Sequence, residues 1–389
     1  MLDRECCRGR LDVGAAFLRR NIDSVGLTNE LFPSLEGVLV TRAREEAQQL
    51  FTGVIAMSPM ATGGNLPYRR LCREYGAALT CSEMVVASKL VKGERSELPL
   101  LRCHPSETSF GVQLCGNSPE VLAEAARMVT DRGSRFVDLN FGCPIEMIVR
   151  RGGGAALLKR PSRLGTIVAG VRQATDLPLS VKIRLGWSEK RINAVKIARI
   201  CEEAGADAVG VHGRTREQHY KRNADWNMID MVAKALHIPV LGNGDILTPW
   251  DLELRRSTTS VSSFLIARGA LIKPWIFGEL AKGEPIQITP AKRWAVMRRY
   301  YEYAAEYFGD DEKGLGRIKR FFLWHLGFWF RYRPYTEEDF RCAQPASLIQ
   351  MRDEPVVEGE PDEILLASTL ETDHELIWER VRNRDFPGG

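Results

Sequence analysis

The sequence contains no long apolar run. None of its apolar stretches reaches the roughly 18 to 20 residues that a membrane-spanning helix requires. The first residues, MLDRECCRGR, carry charges of both signs without a continuous apolar segment, so we expect no secretory signal. With 389 residues, 44% apolar and 27% charged, the composition is that of a globular protein, and we expect a cytoplasmic or nuclear location without membrane binding.

Cysteine pairs at metal-binding or redox spacing are also missing. The nine cysteines are scattered without a CxxC motif, which favours free thiols in a reducing compartment. Cys6 adjoins Cys7 and Cys103 adjoins His104, but no second pair follows at the spacing of a zinc site. The sequence therefore predicts no metal site.

Short β-branched runs alternate with amphipathic stretches between residues 51 and 283, as in repeated βα units around a parallel sheet. Eight units in this length predict an α/β fold, a (β/α)8 TIM barrel, rather than a doubly wound sheet, whose early glycine fingerprint is missing. The predicted strands are 53–57, 78–84, 109–114, 136–140, 177–185, 207–213, 238–244 and 261–269.

The remaining segments differ from the barrel in composition. Residues 1–50 form an N-terminal extension, and 284–335 hold two amphipathic stretches that predict a small helical domain. Between 289 and 335 there are ten Lys/Arg against five Asp/Glu, interleaved with aromatics, which suits phosphate contacts and base stacking as well as a plain helical bundle. Residues 336–389 form an acidic tail of net charge −9, leaving +13 on the rest, which fits a polyanionic partner or a solvated surface.

Polar residues follow the predicted strands, where barrel enzymes carry their reacting groups. The candidates are Pro59 and Met60 after the first strand, Gln113 on the third, Asn140 at the end of the fourth and Cys143 beyond it, Lys182 and Arg184 on the fifth, His212 at the end of the sixth and Arg214 beyond it, Asn243 and Gly244 at the end of the seventh and Asp245 beyond it, and Ala267 and Arg268 at the end of the eighth.

Glycines in the last two of these loops let backbone N–H groups approach a phosphate, which indicates a phosphate-bearing cofactor. Lys182 and His212 end neighbouring strands, where a cation and a hydrogen-bond donor could stabilise an anionic reduced flavin. Taken singly, each residue could equally be a solvated or salt-bridged strand end.

The sequence resembles the dihydrouridine synthases. The segments that carry the resemblance occur in the family's order and cover about 51–335: SPMATGGNLPYRRLCREYGAALTCSEMV, GVQLCGNSPE, VDLNFGCPIEMIVRRGGGAALL, VKIRLG, VHGRTREQHYKRNADW, GNGDI and LIARGALIKPWIF. GNLPYRRLC, CPIEMIVRRGGGAALL and GRTREQHY look most like the eukaryotic branch that modifies a uridine in the variable loop of tRNA.

The resemblance implies FMN as cofactor, NADPH as reductant, tRNA as substrate and reduction of the uracil C5=C6 bond, and we expect a monomer. By position, Pro59, Met60, Gln113, Lys182 and His212 would surround the flavin. Asn243, Gly244, Asp245, Ala267 and Arg268 would hold its phosphate side. Asn140, Arg184 and Arg214 would contact the substrate, and 284–335 would dock tRNA.

Cys143 is the predicted proton donor. Hydride addition at uracil C6 creates enolate character at O4 and C5, so C5 then needs a proton. A thiol with a pKa of about 8.5 is mostly protonated at neutral pH and can supply it. The alternative, a small buried thiol, fits poorly with a position beyond a strand end and before Pro144. The glycines at 152–154 predict a flexible or tightly turned loop over the mouth.

Many members of the variable-loop branch carry Cys-Cys-Cys-His zinc fingers upstream of the barrel, and this sequence has none. Either another segment supplies RNA affinity or the chain is a truncated or divergent form. Two other functions also share these residues: an FMN barrel oxidoreductase acting on a small enone or pyrimidine, and a catalytically silent tRNA-binding protein.

Overall fold

The computed structural model describes residues 44–334, 336–342 and 360–385. Residues 1–43 of the predicted extension, and 343–359 and 386–389 of the predicted acidic tail, lie outside the described residues, as does residue 335. Among the described helices, none combines the length and the apolar composition that a bilayer crossing requires.

The described residues form a parallel barrel that contains all eight predicted strands. A further two-residue strand follows the second one. The strands are β1 (Ile55–Met57), β2 (Thr80–Cys81), β3 (Val85–Val86), β4 (Phe110–Cys115), β5 (Phe136–Asn140), β6 (Leu179–Arg184), β7 (Ala208–His212), β8 (Val240–Asn243) and β9 (Ser263–Ile266).

The strand order closes the sheet on itself. Pairing runs β1-β9-β8-β7-β6-β5-β4-β2, and β3 pairs with β4. The Met57 N–H donates to Leu79 O at 2.9 Å and the Ala78 N–H to Ile55 O at 3.0 Å, which joins the first strand to the second. A doubly wound sheet has two open edges, whereas here the first and last strands pair with each other. The predicted TIM barrel is confirmed.

Helices cover the outside of the barrel and continue beyond it. Residues 44–51 are helical. The helices that follow are α1 (Leu66–Glu74), α2 (Ala87–Val91), α3 (Pro119–Thr130), α4 (Glu146–Arg150), α5 (Pro161–Arg172), α6 (Ala194–Glu203), α7 (Trp226–Ala235), α8 (Pro249–Thr258), α9 (Arg268–Ile272), α10 (Ile276–Lys282), α11 (Pro290–Phe308), α12 (Glu312–Trp329), α13 (Glu337–Cys342), α14 (Pro361–Leu366) and α15 (Glu371–Asn383).

Local sequence signals fix where several of these helices begin. Thr248 caps α8 through a reciprocal pair of hydrogen bonds with Asp251, and the Asp225 side chain accepts the Met228 N–H at the start of α7. Proline stands in the first turn of α3, α5, α8 and α11, where its missing N–H costs no hydrogen bond.

The C-terminal helices pack on one another and on the barrel. The predicted helical segment forms α11 and α12, and the described part of the acidic tail adds α13, α14 and α15. Trp378 on α15 is buried with its ring 5.8 Å from that of Phe322 on α12, and Lys319 of α12 pairs with Glu375 of α15 at 2.6 Å. The acidic segment therefore covers one side of the basic helix α12.

A buried tyrosine joins α12 to the barrel. The Tyr68 hydroxyl on α1 donates to Ala270 O at 2.6 Å and lies 3.1 Å from His325 Nε2. The same nitrogen donates to Leu271 O at 2.7 Å. Burial lowers the pKa of His325 to about 4, so this imidazole is neutral at physiological pH. Three elements, α1, α9 and α12, thus meet at one hydroxyl group.

Replacing Tyr68 by Phe removes this hydroxyl group and should lower the free energy of unfolding by about 1 to 3 kcal/mol, because it leaves buried partners without their hydrogen bond. Tyr307→Phe is the matched control, since its hydroxyl bonds Pro99 O at 3.1 Å in an exposed position. We expect the control to change stability by no more than about 0.5 kcal/mol. Urea unfolding of both variants measures the difference in free energy of unfolding. Equal stability of the two variants would contradict a role for Tyr68 in joining α12 to the barrel.

Candidate active site

The carboxyl ends of the barrel strands open into a cavity of about 890 Å³. All candidate residues from the sequence line it except Arg214. Those that line it are Pro59, Met60, Gln113, Asn140, Cys143, Lys182, Arg184, His212, Asn243, Gly244, Asp245, Ala267 and Arg268. Residues from seven different strand ends thus share one concave space, as the barrel topology requires.

The turn that carries Cys143 is held by side chains from two strands. The Asn140 Oδ1 atom accepts the Cys143 N–H at 2.8 Å and the Gly142 N–H at 3.2 Å. Arg184 donates from Nε to Gly142 O at 2.8 Å. Because both sides of the turn are bonded, the position of the thiol is set by its backbone as well as by its own rotamer.

The glycine run packs against the same turn. Gly152 and Gly154 have φ of +77° and +53°, and a Cβ on Gly154 would lie 2.7 Å from Cys143 O. The Ala155 N–H donates to that oxygen at 3.0 Å. Of the two forms that the sequence left open, the structure has the tight turn. Gly154 is needed because the chain there approaches Cys143 too closely for a side chain, and Gly152 because its φ is positive.

Burial raises the pKa of the half-buried Cys143 thiol, while a hydrogen bond from the Ile145 backbone and the charge of Arg184 oppose that shift. The thiol is therefore the dominant form at neutral pH. A protonated sulfur at the edge of a cavity can act as an acid, whereas a nucleophilic cysteine requires a depressed pKa.

Lys182, near the end of β6, lines the cavity. Its Nζ donates to Asn243 Oδ1 at 3.0 Å, and Asn243 in turn donates to Leu265 O at 2.7 Å. Gly210 is its register partner on β7, and a Cβ there would come within 3.5 Å of the lysine stem. Burial, followed by the charge of Arg184, lowers the pKa of Lys182 to about 8.

His212 is a neutral hydrogen-bonding group. Arg214 Nη1 lies 3.3 Å from His212 Nε2, and because a guanidinium only donates, Nε2 accepts and the ring proton resides on Nδ1. Burial, together with the surrounding cations Arg184, Lys182, Arg214 and Arg268, places the pKa of His212 well below its usual value. The Nδ1–H group is the donor that this residue retains.

Arg214 is fully buried and does not reach the cavity. Both oxygens of Asp245 accept from its Nη2, at 2.8 and 2.6 Å, and Arg268 donates to Asp245 Oδ1 at 3.0 Å. The sequence predicted a substrate contact for Arg214, but the structure places its guanidinium between His212 and Asp245.

Asp245 links the carboxyl ends of β8 and β9. It has φ of +51° and also accepts the Ala224 N–H at 2.7 Å. At the neighbouring Gly244 a Cβ would overlap that of Ala224, so this loop needs glycine. Burial lowers the pKa of Arg268 to about 10, which leaves this guanidinium charged at neutral pH.

Sequence reasoning missed one wall of the cavity. Trp324 and Phe328 near the end of α12, and Arg331 just beyond it, also line the cavity. Helical periodicity marks Trp324 as exposed, but only the tertiary packing of α12 shows that it faces the cavity.

Tyr220 was also missed, because it follows β7 by eight residues. It is 47% exposed, its ring centroid lies 6.0 Å from that of His212, and the Arg268 guanidinium is 4.6 Å from its ring. The aromatic ring therefore stands at the mouth, beside the polar floor, where a planar ligand could stack on it.

A family model described as dihydrouridine synthase matches residues 55–355. A mouse protein named tRNA-dihydrouridine(47) synthase (NAD(P)+)-like is 40% identical over 301 residues, covering 77% of this chain and 47% of the mouse protein. A similarly named rice protein is 37% identical over 335 residues, covering 82% and 49%. A fungal synthase from Coprinopsis cinerea is 38% identical over 308 residues, covering 75% and 46%.

The chain spans about half the length of the curated relatives it matches. Among solved structures, an amine oxidase from Pseudomonas geniculata shares 14% identity with a TM-score of 0.48, covering 59% of this chain and 47% of the oxidase, which is too low to bear on function. The resemblance found in the motifs is confirmed by the match over residues 55–355. The family match and the identity across three-quarters of the sequence show that this chain belongs to the dihydrouridine synthase family.

Proposed function

We propose that this protein is an FMN-dependent tRNA-dihydrouridine synthase that uses NADPH to reduce the C5=C6 bond of a uridine. The observation that carries the proposal is the thiol of Cys143, held protonated at the edge of a cavity whose floor is lined by Lys182 and His212. The names of the relatives support a variable-loop target at position 47 of tRNA.

The residues of the cavity fit FMN. Its volume of about 890 Å³ lies within the range of small-molecule and cofactor sites. Arg268, after β9, supplies a cation, and Gly244, after β8, allows a phosphate to approach the backbone closely. Barrels often bind phosphate at the ends of their last two strands. Lys182, His212 and the Gln113 amide offer donors to polar ring atoms, and Pro59 and Met60 offer apolar contact.

FMN, when bound, supplies the hydride for uracil C6. The part assigned to this chain is to orient the base and to protonate C5, and the Cys143 thiol, whose pKa is raised by burial, holds that proton. Tyr220 and Trp324 provide aromatic faces at the mouth for a base that has left its stack. Arg184, buried behind the Cys143 turn, holds the thiol in place through Gly142.

The exposed face of α12 supports tRNA as the substrate. Lys313, Arg317, Arg320 and Trp324 are all exposed and are spaced three or four residues apart, so they lie on one side of the helix. Arg331, just beyond the end of α12, lines the cavity. A row of cations that leads to an aromatic ring at the mouth matches a phosphate backbone followed by an unstacked base.

Replacing Cys143 by Ala should lower dihydrouridine formation at least about 100-fold, the scale of general acid catalysis, while FMN and tRNA still bind. The assay combines FMN-loaded protein, NADPH and transcribed tRNA, with mass-spectrometric mapping of dihydrouridine. Cys103→Ala, at an exposed cysteine, is the control and should keep wild-type turnover. Normal turnover by the Cys143 variant rejects the proton-donor role, and wild-type product outside the variable loop rejects position 47.

The affinity of the flavin-free protein for FMN should fall as pH rises through about 8. The charged Lys182 favours binding, so flavin raises its pKa above the free value of about 8. The extra affinity is complete below that pH and is lost above it. Fluorescence titration from pH 6 to 9.5 measures the effect. Lys182→Arg is the control, because arginine stays charged and should flatten the curve; an unchanged curve in this variant would assign the pH dependence elsewhere.

Reversing charge on α12 should weaken tRNA binding without affecting flavin. For Arg317→Glu with Arg320→Glu we expect the slope of log affinity against log salt to fall by about two, one for each lost phosphate contact. Arg127→Glu, on the barrel helix α3, removes a 55% exposed side chain and serves as the control. Equal salt slopes in the two variants would argue against this face and favour a small-molecule substrate.

A further inference from the structure

Three buried polar side chains stand at neighbouring register positions on three barrel strands, and one of them, Gln113, lines the cavity. Gln113, Asp138 and Ser180 are aligned partners on β4, β5 and β6, and each is no more than 6% exposed. Ser180 Oγ donates to Asp138 Oδ1 at 2.6 Å, and Gln113 Nε2 donates to Asp138 Oδ2 at 2.6 Å. Asp138 therefore joins two flanking strands through its carboxylate.

The hydrogen bonds continue from Gln113 to the Cys143 turn. Asn140 Nδ2 donates to Gln113 Oε1 at 2.8 Å, and Asn140 Oδ1 accepts the Cys143 N–H at 2.8 Å. Because both carboxylate oxygens of Asp138 accept, Gln113 must present its nitrogen to Asp138 and its oxygen to Asn140. Asn140 must then present its own oxygen to the backbone N–H groups of the turn.

We propose that Asp138 is a positioning residue that orients the Gln113 and Asn140 amides and thereby fixes the Cys143 turn against the wall of the cavity. Asp138 does not line the cavity and acts through two amides in series. The proposal rests on the proposed function in one respect only, namely that Gln113 faces the flavin.

The hydrogen bonds from Asp138 through Gln113 and Asn140 to the Cys143 N–H form a relay, and its direction explains why an acceptor is needed at position 138. If Gln113 lost its acceptor, its amide could rotate and offer nitrogen to Asn140. The Nδ2 group of Asn140 would then face another donor, and turning Asn140 to relieve that contact would break its bonds to the Gly142 and Cys143 N–H groups. The proton donor would lose its backbone anchor although no atom near it had been changed.

The ordinary alternative is that Asp138 only satisfies buried polar groups. Burial raises the pKa of this carboxyl, and the hydrogen bonds from Ser180 and Gln113 oppose that shift. A residue with only that role would affect overall stability. The relay makes the additional demand that Cys143 responds to a change three hydrogen bonds away.

The test compares three variants by two measurements that need no turnover. The rate of iodoacetamide alkylation at Cys143 is read by peptide mass spectrometry, with the exposed Cys103 of the same molecule as internal reference. FMN affinity is read by fluorescence. For Asp138→Ala we expect Cys143 alkylation to rise roughly fivefold relative to Cys103 and FMN affinity to fall by a similar factor, the effect of one net hydrogen bond.

Asp138→Asn should stay within about twofold of wild type in both measurements, because its Oδ1 can accept from Gln113 while its nitrogen donates to Ser180 Oγ. Ser180→Ala removes the other partner of Asp138 and leaves Gln113 bonded, so it should also stay within about twofold. Rescue by Asn separates loss of the acceptor from loss of the carboxylate charge.

A folded Asp138→Ala variant with wild-type Cys143 alkylation overturns the proposal, as does an Asn variant that behaves like Ala. If the Ala variant does not fold, Gln113→Leu removes the next bond of the relay and must itself raise the rate of Cys143 alkylation. A wild-type alkylation rate in the Gln113→Leu variant also overturns the proposal. Since neither measurement needs turnover, a chain that makes no dihydrouridine but shows these changes would refute the proposed function and leave the relay standing.

Discussion

The parallel closure of the barrel is the constraint on which the site depends. Every strand runs in the same direction, so every carboxyl end meets at one mouth, and residues as distant in sequence as Pro59 and Arg268 line one cavity. The pairing of β1 with β9 also leaves no free edge between the first strand and the last. The loops after the strands are therefore free to carry polar groups, while the barrel wall supplies their fixed positions.

Crowding of cations gives the cavity its chemical character. Lys182, Arg184 and Arg268 share one space with the neutral His212. Burial, followed by repulsion from neighbouring cations that include the buried Arg214, lowers the pKa of these groups. Burying these donors and positive charges together costs free energy until an anion binds among them. The cavity is therefore suited to a phosphate group and to negative charge that develops on a ring. Asp245 offsets part of the cost, since it pairs with Arg268 and with the buried Arg214.

The sequence predicted the parts of the site that follow from strand periodicity. Cys143, Lys182 and His212 stand within three residues of a strand end, so counting along each strand found them. Asp138 lies on β5 itself, and its function depends on register partners from two other strands. Trp324 reaches the mouth only because α12 packs across the barrel, and Arg214 is turned away from the mouth by Asp245. Pairings of this kind depend on tertiary structure, which no local pattern encodes.

The position of the acidic segment bears on the choice between an RNA and a small-molecule substrate. The buried side of α12 packs against α15, where Glu375 pairs with Lys319 and Trp378 lies against Phe322. Among the described residues, Glu375 of the acidic tail thus pairs on one side of α12, and the row from Lys313 to Trp324 is exposed on another. Ile145 and Tyr220, 46% and 47% exposed, complete an apolar rim at the same mouth. A small substrate would need only the floor of the cavity. Aromatic rings at the mouth, bordered by cations on α12, match the alternation of base and phosphate along a nucleic acid strand.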